Sequence, residues 1–178
     1  MSFKNIYQSL SIELQTKLKE IKLLVMDFDG TLTDNNVLVI EDGREAVIAS
    51  RGDGLGLELL RKHTDVQALI LSKEVNKVVN ARAQKLKIPC LHGLQNKIDD
   101  FKKEVSERGL KFEEVCFVGN DLNDIECIKA AGVGIAVQDS YSQVLSVADY
   151  ITSLPGGKGA VREVCELILY AKDAHPFG

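Results

Sequence analysis

The stretch Leu23-Leu-Val-Met-Asp27-Phe-Asp29-Gly30-Thr31-Leu-Thr-Asp34 decides how this chain is read. Four apolar residues predict a short buried strand, and that strand stops at two carboxylates, one residue apart. A glycine and a hydroxyl residue follow at once. Alternate residues of a strand point to opposite sides, but past the strand end the chain can curl so that both carboxyl groups face one crevice. There one carboxylate can attack while the other moves a proton. Two carboxylates so close repel, unless a divalent cation or a bound proton intervenes. The pattern points to phosphoryl transfer through an aspartate nucleophile.

Outward from this stretch, strand-like apolar runs recur at 22–27, 66–71, 88–91, 115–118 and 133–137, with helical patterns at 54–63, 75–87, 95–108, 122–131 and 158–172. Such alternation predicts an α/β fold: a three-layer, Rossmann-like parallel sheet with helices on both faces. Phe3, Ile6, Leu10, Leu14 and Leu18 recur at helical spacing, so residues 1–20 read as an amphipathic lead-in helix. Two apolar runs, 37–40 and 46–49, flank Glu41-Asp42-Gly43-Arg44 and predict a projecting β-hairpin over 35–50. No segment between the strands is long enough for a separate cap domain. Residues 173–178 read as a flexible tail, and 1–178 as one domain.

The chain has 178 residues, a net charge of -4, 45% hydrophobic and 27% charged residues, and a pI near 5.4. That balance is ordinary for a soluble globular protein and argues against a groove that tracks nucleic-acid phosphates. Cys90, Cys116, Cys127 and Cys165 form no Cys-x-x-Cys pair and read as free thiols in a reducing compartment. With no signal-peptide pattern and no apolar run of membrane-spanning length, a cytoplasmic protein without membrane partners is expected.

Three further features fall at strand ends, where sites of open α/β sheets lie. Ser72 ends the run Ala68-Leu-Ile-Leu71; it reads either as a helix N-cap or as part of a phosphate-binding helix N-terminus. Lys97 closes Gly93-Leu-Gln-Asn-Lys97 at the start of a helical pattern, where it can neutralise phosphate and an attacking carboxylate. Phe117-Val-Gly119-Asn120-Asp121-Leu-Asn123-Asp124 offers oxygen donors that suit a hard cation such as Mg²⁺, or alternatively a capping turn.

These four stations, in this order, resemble the haloacid dehalogenase superfamily of phosphatases over residues 21–170. Arg51-Gly-Asp53-Gly54-Leu-Gly56, Gly93-Leu-Gln-Asn-Lys97 and Pro155-Gly-Gly-Lys-Gly-Ala-Val-Arg162-Glu are similar to its capless subgroup. That subgroup contains 3-deoxy-D-manno-octulosonate 8-phosphate phosphatases, nonulosonate 9-phosphate phosphatases and the C-terminal domains of some acylneuraminate cytidylyltransferases. The resemblance implies Asp27 as nucleophile and metal ligand, and Asp29 as acid/base and backbone metal ligand. It implies that Ser72 and Lys97 hold the phosphoryl group. It aligns the third Mg²⁺ ligand with Asn120, where much of the superfamily has Asp, with Asp121 or Asp124 as donors that could compensate. Ser50, Arg51, Gly52, Asp53, Gly54, Arg82 and Asn123 match substrate-contacting positions. Glu58 and Glu74 stand where the octulosonate enzymes have arginines, which favours a nine-carbon acid or a different sugar orientation.

The resemblance further implies a homotetramer whose hairpins form a central barrel and whose neighbouring subunit helps to close each site. The expected substrate is a small sugar-acid phosphate of surface-glycan biosynthesis, such as lipopolysaccharide or sialic acid pathways. Two rivals stand beside this reading. One is a non-catalytic oligomerisation module related to the cytidylyltransferase domains, favoured by Asn120. The other is a mutase or phosphotransferase on the same scaffold.

Overall fold

The strands run, in chain order, β1 (Leu23–Met26), β2 (Thr33–Val39), β3 (Glu45–Ala49), β4 (Gln67–Leu71), β5 (Cys90–Leu91), β6 (Val115–Gly119), β7 (Val133–Ala136) and β8 (Tyr150–Ile151). Six of them form one sheet in the order β5-β4-β1-β6-β7-β8, parallel throughout. β1 is fully buried, and its successive residues serve opposite layers. Leu24 and Met26 join one hydrophobic cluster, while Leu23 and Val25 join the other. The computed structural model describes residues 2–177, so Met1 of the expected lead-in helix and Gly178 of the expected tail lie outside the described residues.

The helices are α1 (Phe3–Ser9), α2 (Ile12–Glu20), α3 (Arg51–His63), α4 (Val78–Leu86), α5 (Lys97–Glu107), α6 (Ile125–Ala130), α7 (Ser142–Leu145) and α8 (Ala160–Ala171). One layer is built from α1, α2, α3, α4 and α8, the other from α5, α6 and α7. The three-layer α/β architecture is therefore as the alternation of patterns requires. Among the described residues no helix is long and apolar enough to cross a membrane.

Three local expectations are corrected. The lead-in helix is two helices, because Ser11 accepts a hydrogen bond from the Leu14 N–H at 3.2 Å and so caps a fresh start at Ile12. The tail over 173–177 is not loose: His175 Nε2 lies 2.5 Å from Glu166 Oε2, and its ring stacks on Tyr170 at 4.2 Å. Strand β8 and helix α7 add two elements that the sequence patterns did not show. With two and four residues, they are too short to display a period.

β2 and β3 pair antiparallel as a separate ribbon. Their turn closes where the Ile40 N–H donates to Arg44 O and the Gly43 N–H to Ile40 O. Gly43, at φ +82°, supplies the left-handed turn residue. The register slips between Thr33 and Val37, around Asn35 at φ +62°, a conformation that Asn tolerates better than most residues. The bulge re-aims the ribbon as it leaves the carboxylate loop.

The root of α8 depends on Asp53, which is completely buried. Its Oδ1 accepts from the Arg162 N–H at 2.7 Å, and the Gly159 backbone amide pulls on the same carboxylate. These are free amides of a helix N-terminus, which a carboxylate satisfies. Burial nonetheless pushes Asp53 up to about 6, against the pull of those amides and of Arg82 and Arg162. An acid raised above its unfolded value favours the fold most below pH ~4, and that contribution is lost as the pH rises through about 6. Asp53→Ala should cost about 1–3 kcal/mol by stranding its donors. Asp53→Asn keeps an acceptor but cannot ionise, so in urea titrations wild type should lose stability relative to it between pH ~4 and ~6. A gap independent of pH would contradict this placement.

Candidate active site

The order of strands reverses beside β1: the chain builds outward through β4 and β5, then crosses to β6, β7 and β8. Such a switch opens a crevice at the carboxyl ends of the strands. Asp27 directly follows β1, Ser72 follows β4, and Asn120 follows β6, so three stations of the sequence meet there. Asp27 is held by its own N–H, which donates to Val118 O at 2.9 Å. This continues the β1–β6 ladder up to the Asp27 residue itself.

Lys97 arrives from below. It is the first residue of α5 and is 3% exposed. Its Nζ lies 2.7 Å from Asp27 Oδ1 and 2.7 Å from Asp124 Oδ1. Asp124 is fully buried, and its Oδ2 accepts from the N–H groups of Asn120 at 2.9 Å and Asp121 at 3.1 Å. Both Asp124 oxygens are thus engaged in hydrogen bonds, one by Lys97 and one by two amides. Its place is to hold Lys97 and the backbone of the 120–121 turn.

Two buried carboxylates around one ammonium leave an excess negative charge. Burial and then the Asp124 charge push the Asp27 carboxyl upward, against Lys97. Burial alone would lower Lys97, but Asp27 and Asp124 raise it and keep it an ammonium. Asp29, half-buried, is pushed up to about 6 by burial and then by Glu74. A carboxyl poised there can give and take a proton near neutrality.

Asn120 is 4% exposed, and its Oδ1 has no hydrogen-bond partner among the described residues. A buried amide oxygen left unpaired is costly, and a hard cation would satisfy it. Among the described residues no three His, Cys, Asp or Glu side chains gather as a metal cluster. The donors at hand are carboxylate and amide oxygens, which suit Mg²⁺ better than a soft ion. The residues present fit a divalent cation.

The crevice itself, about 260 Å³, is lined by Asp27, Asp29, Asn35, Ser72, Lys73, Glu74, Asp121 and Asn123. A continuation of about 250 Å³ shares Asp29, Asn35 and Glu74 and runs along the ribbon past Glu45, Val47 and Asn76. Asn35 and Lys73 were not singled out from the sequence. Asn35 acts through a bulge that no periodicity reveals, and Lys73 merely follows Ser72. Ser72 is placed in the crevice but caps no helix: its Oγ accepts from the Glu74 N–H at 3.0 Å, and α4 starts only at Val78. The helix N-terminus expected beside it is therefore not there.

The expected substrate residues divide. Glu74 and Asn123 line the crevice. Arg51, Gly54 and Arg82 instead line a separate cavity of about 480 Å³, with Glu58, Arg61, Lys85 and Lys87. Ser50 caps α3 through the Gly52 and Asp53 N–H groups, and its carbonyl accepts from Arg82 at 2.7 Å. Gly52 sits in the first turn of that helix. Asp53 is buried under α8, so it is a structural cap in this chain and not a crevice residue.

Comparison with known proteins shows the family to which this fold belongs. The haloacid dehalogenase-like hydrolase family matches residues 61–162. The 3-deoxy-D-manno-octulosonate 8-phosphate phosphatase of Escherichia coli K12 is 33% identical over 172 residues, 96% of this chain and 91% of that protein. The corresponding phosphatase of Moraxella catarrhalis, solved with magnesium, phosphate and the octulosonate, is 36% identical with a TM-score of 0.87, covering 90% of this chain and 92% of that one. A cobalt-bound octulosonate 8-phosphate phosphatase from Haemophilus influenzae is 30% identical with a TM-score of 0.84, covering 88% and 92%. With a family match over more than half of its length and relatives this similar along nearly all of it, the chain belongs to the haloacid dehalogenase-like hydrolases, as a phosphoric monoester hydrolase.

Proposed function

We propose that this chain hydrolyses a phosphorylated 3-deoxy-2-ulosonic acid, with Asp27 as nucleophile and Asp29 as acid and base. The observation that carries this is the pairing of a buried strand-end carboxylate, Asp27 against Lys97 at 2.7 Å, with a neighbour whose carboxyl is held near 6, both opening on one crevice. An Asp27 oxygen attacks phosphorus while the bond to the sugar oxygen breaks, and Asp29 gives that oxygen its proton. Asp29, now ionised, takes a proton from water. The water oxygen attacks phosphorus, the aspartyl bond breaks, and phosphate leaves. Ser72 and Lys73 line the side where phosphoryl oxygens sit. Lys97 offsets the charge of Asp27, so that an anion can approach it.

Asp27, Asn120 and the Asp29 backbone would hold Mg²⁺, with Asp121 near enough along the crevice to assist. The cation supplies charge neutralisation of the phosphoryl group. Free, buried thiols at Cys116, Cys127 and Cys165 suit a cytoplasmic setting. Residues 1–178 are read as one domain.

The substrate class rests on the octulosonate phosphatases that the chain resembles, and Glu74 in the crevice wall bears on which sugar is taken. Asp27→Asn should leave the circular dichroism spectrum intact and cut phosphate release by about 10⁴-fold or more. EDTA should abolish wild-type release, and Mg²⁺ should restore it. Octulosonate 8-phosphate and nonulosonate 9-phosphates should both be hydrolysed faster than glucose 6-phosphate. Undiminished turnover by Asp27→Asn, or a preference for the hexose phosphate, would overturn the reading; full binding with no turnover at all would favour the non-catalytic module.

A homotetramer goes with this function. The ribbon exposes Leu38 (66%), Val39 (64%) and Ile48 (69%) on both faces, an apolar surface that a solvated ribbon does not sustain. A second copy covering it would also cover the open crevice and exclude water. Leu38→Glu is expected to shift the sedimentation mass from tetramer to monomer; an unchanged mass, or a wild-type monomer, would contradict the assembly.

A further inference from the structure

The segment Pro155-Gly-Gly-Lys-Gly-Ala-Val-Arg162-Glu takes no part in the chemistry above, yet it touches the carboxylate loop directly. The Gly157 N–H donates to Thr31 O at 3.0 Å. A Cβ on Gly156 would lie 1.8 Å from Gly30 O, so at that point two backbones are in contact with no side chain between them. Gly30 has equally little room on its other side: a Cβ there would lie 2.0 Å from Asn120 Nδ2. Gly156, Gly30 and the Asn120 amide therefore form a stack without slack. The Asn120 end of that stack carries the buried, unpartnered Oδ1.

The outer end is fixed separately. The Gly156 N–H donates to Asp139 Oδ1 at 2.8 Å, and the 155–159 turn leads into α8, whose first amides are held by Asp53. Displacing Gly156 inward would push the Gly30 peptide onto the Asn120 amide, because close-packed groups pass a shift on instead of absorbing it. Releasing Gly156 from Asp139 would let the stack open.

We propose that Gly156, held by Asp139, is a positioning residue: acting through Gly30, it sets where the Asn120 amide oxygen meets a divalent cation. This rests on the reading of Asn120 as a cation ligand. It gives the 155–163 segment a task in the site from behind, with no contact to substrate.

Titration calorimetry of the full chain with Mn²⁺ and with Mg²⁺, in the absence of substrate, tests this apart from turnover. Asp139→Ala should weaken cation affinity by about threefold, and Asp139→Asn, which keeps an acceptor for the Gly156 N–H, should restore it. Gly156→Ala should weaken it by about tenfold, equivalent to ~1.4 kcal/mol. Ile168→Val, in the same layer but remote from the stack, should lower the melting temperature without changing affinity. If Gly156→Ala does not fold, the Asp139 pair decides alone. Equal affinity in Asp139→Ala and wild type overturns the inference and leaves the cation site standing. No binding by wild type overturns the cation reading of Asn120 and the inference with it.

Discussion

One ammonium shared by two buried carboxylates organises this molecule. Lys97 Nζ sits 2.7 Å from both Asp27 and Asp124; all three are buried, and of them Asp27 lines the crevice. Removing the lysine from such a cluster strands two buried carboxylates, which burial makes expensive, whereas neutralising Asp27 leaves a balanced Lys97–Asp124 pair. The cluster also joins two strand ends and a helix start in one object: β1 through Asp27, the turn after β6 through Asp124, and α5 through Lys97. Asp124 in turn holds the Asn120 and Asp121 amides. The same contacts that fix the loops also pre-set the charge around the Asp27 carboxylate, and fixed charge of this kind is the main resource of phosphoryl-transfer sites.

A second constraint is the absence of side chains where backbones meet. Gly30 and Gly156 touch at a distance that no Cβ would permit, and this lets a turn from the far end of the chain lie against the carboxylate loop. The loop is thereby held on one side by the Asn120 amide and on the other by the root of α8. That root is tied to α3 by Asp53 and to β8 by Glu163, which accepts from Tyr150 and Ser153. The carboxylate loop is thus braced in part by elements that do not line the crevice, an arrangement that suits a preorganised site.

Much of this was legible in the residues. The apolar run ending at Asp27 and Asp29 gave the central strand and the reactive end together, because a buried parallel strand is nearly all apolar and its end is abrupt. The glycine turn gave the ribbon. What sequence reasoning missed depends on contacts between distant segments. Asp53, in a motif resembling substrate-contacting residues, proved to be the cap of a helix more than a hundred residues away. Asp124 reads as an oxygen donor, and its hold on Lys97 and on two amides could not be read from the local pattern. Ser72 looked like a helix cap, but the helix starts later and the hydroxyl closes a turn. A local pattern names the chemical group; its partner is decided by the fold. Arg51, Gly54 and Arg82 show the same limit, since they line a cavity separate from the crevice.

Asp27 is the residue on which every proposed step turns. Rapid acid quench of the enzyme during turnover of octulosonate 8-phosphate with Mg²⁺, followed by peptide mass spectrometry, reads that residue directly. A phosphoryl adduct on the peptide carrying Asp27, absent before substrate is added and lost on a chase with hydroxylamine, is the expected result. Steady turnover with no adduct at any time point, or an adduct on another residue, would contradict an aspartyl-phosphate route through Asp27.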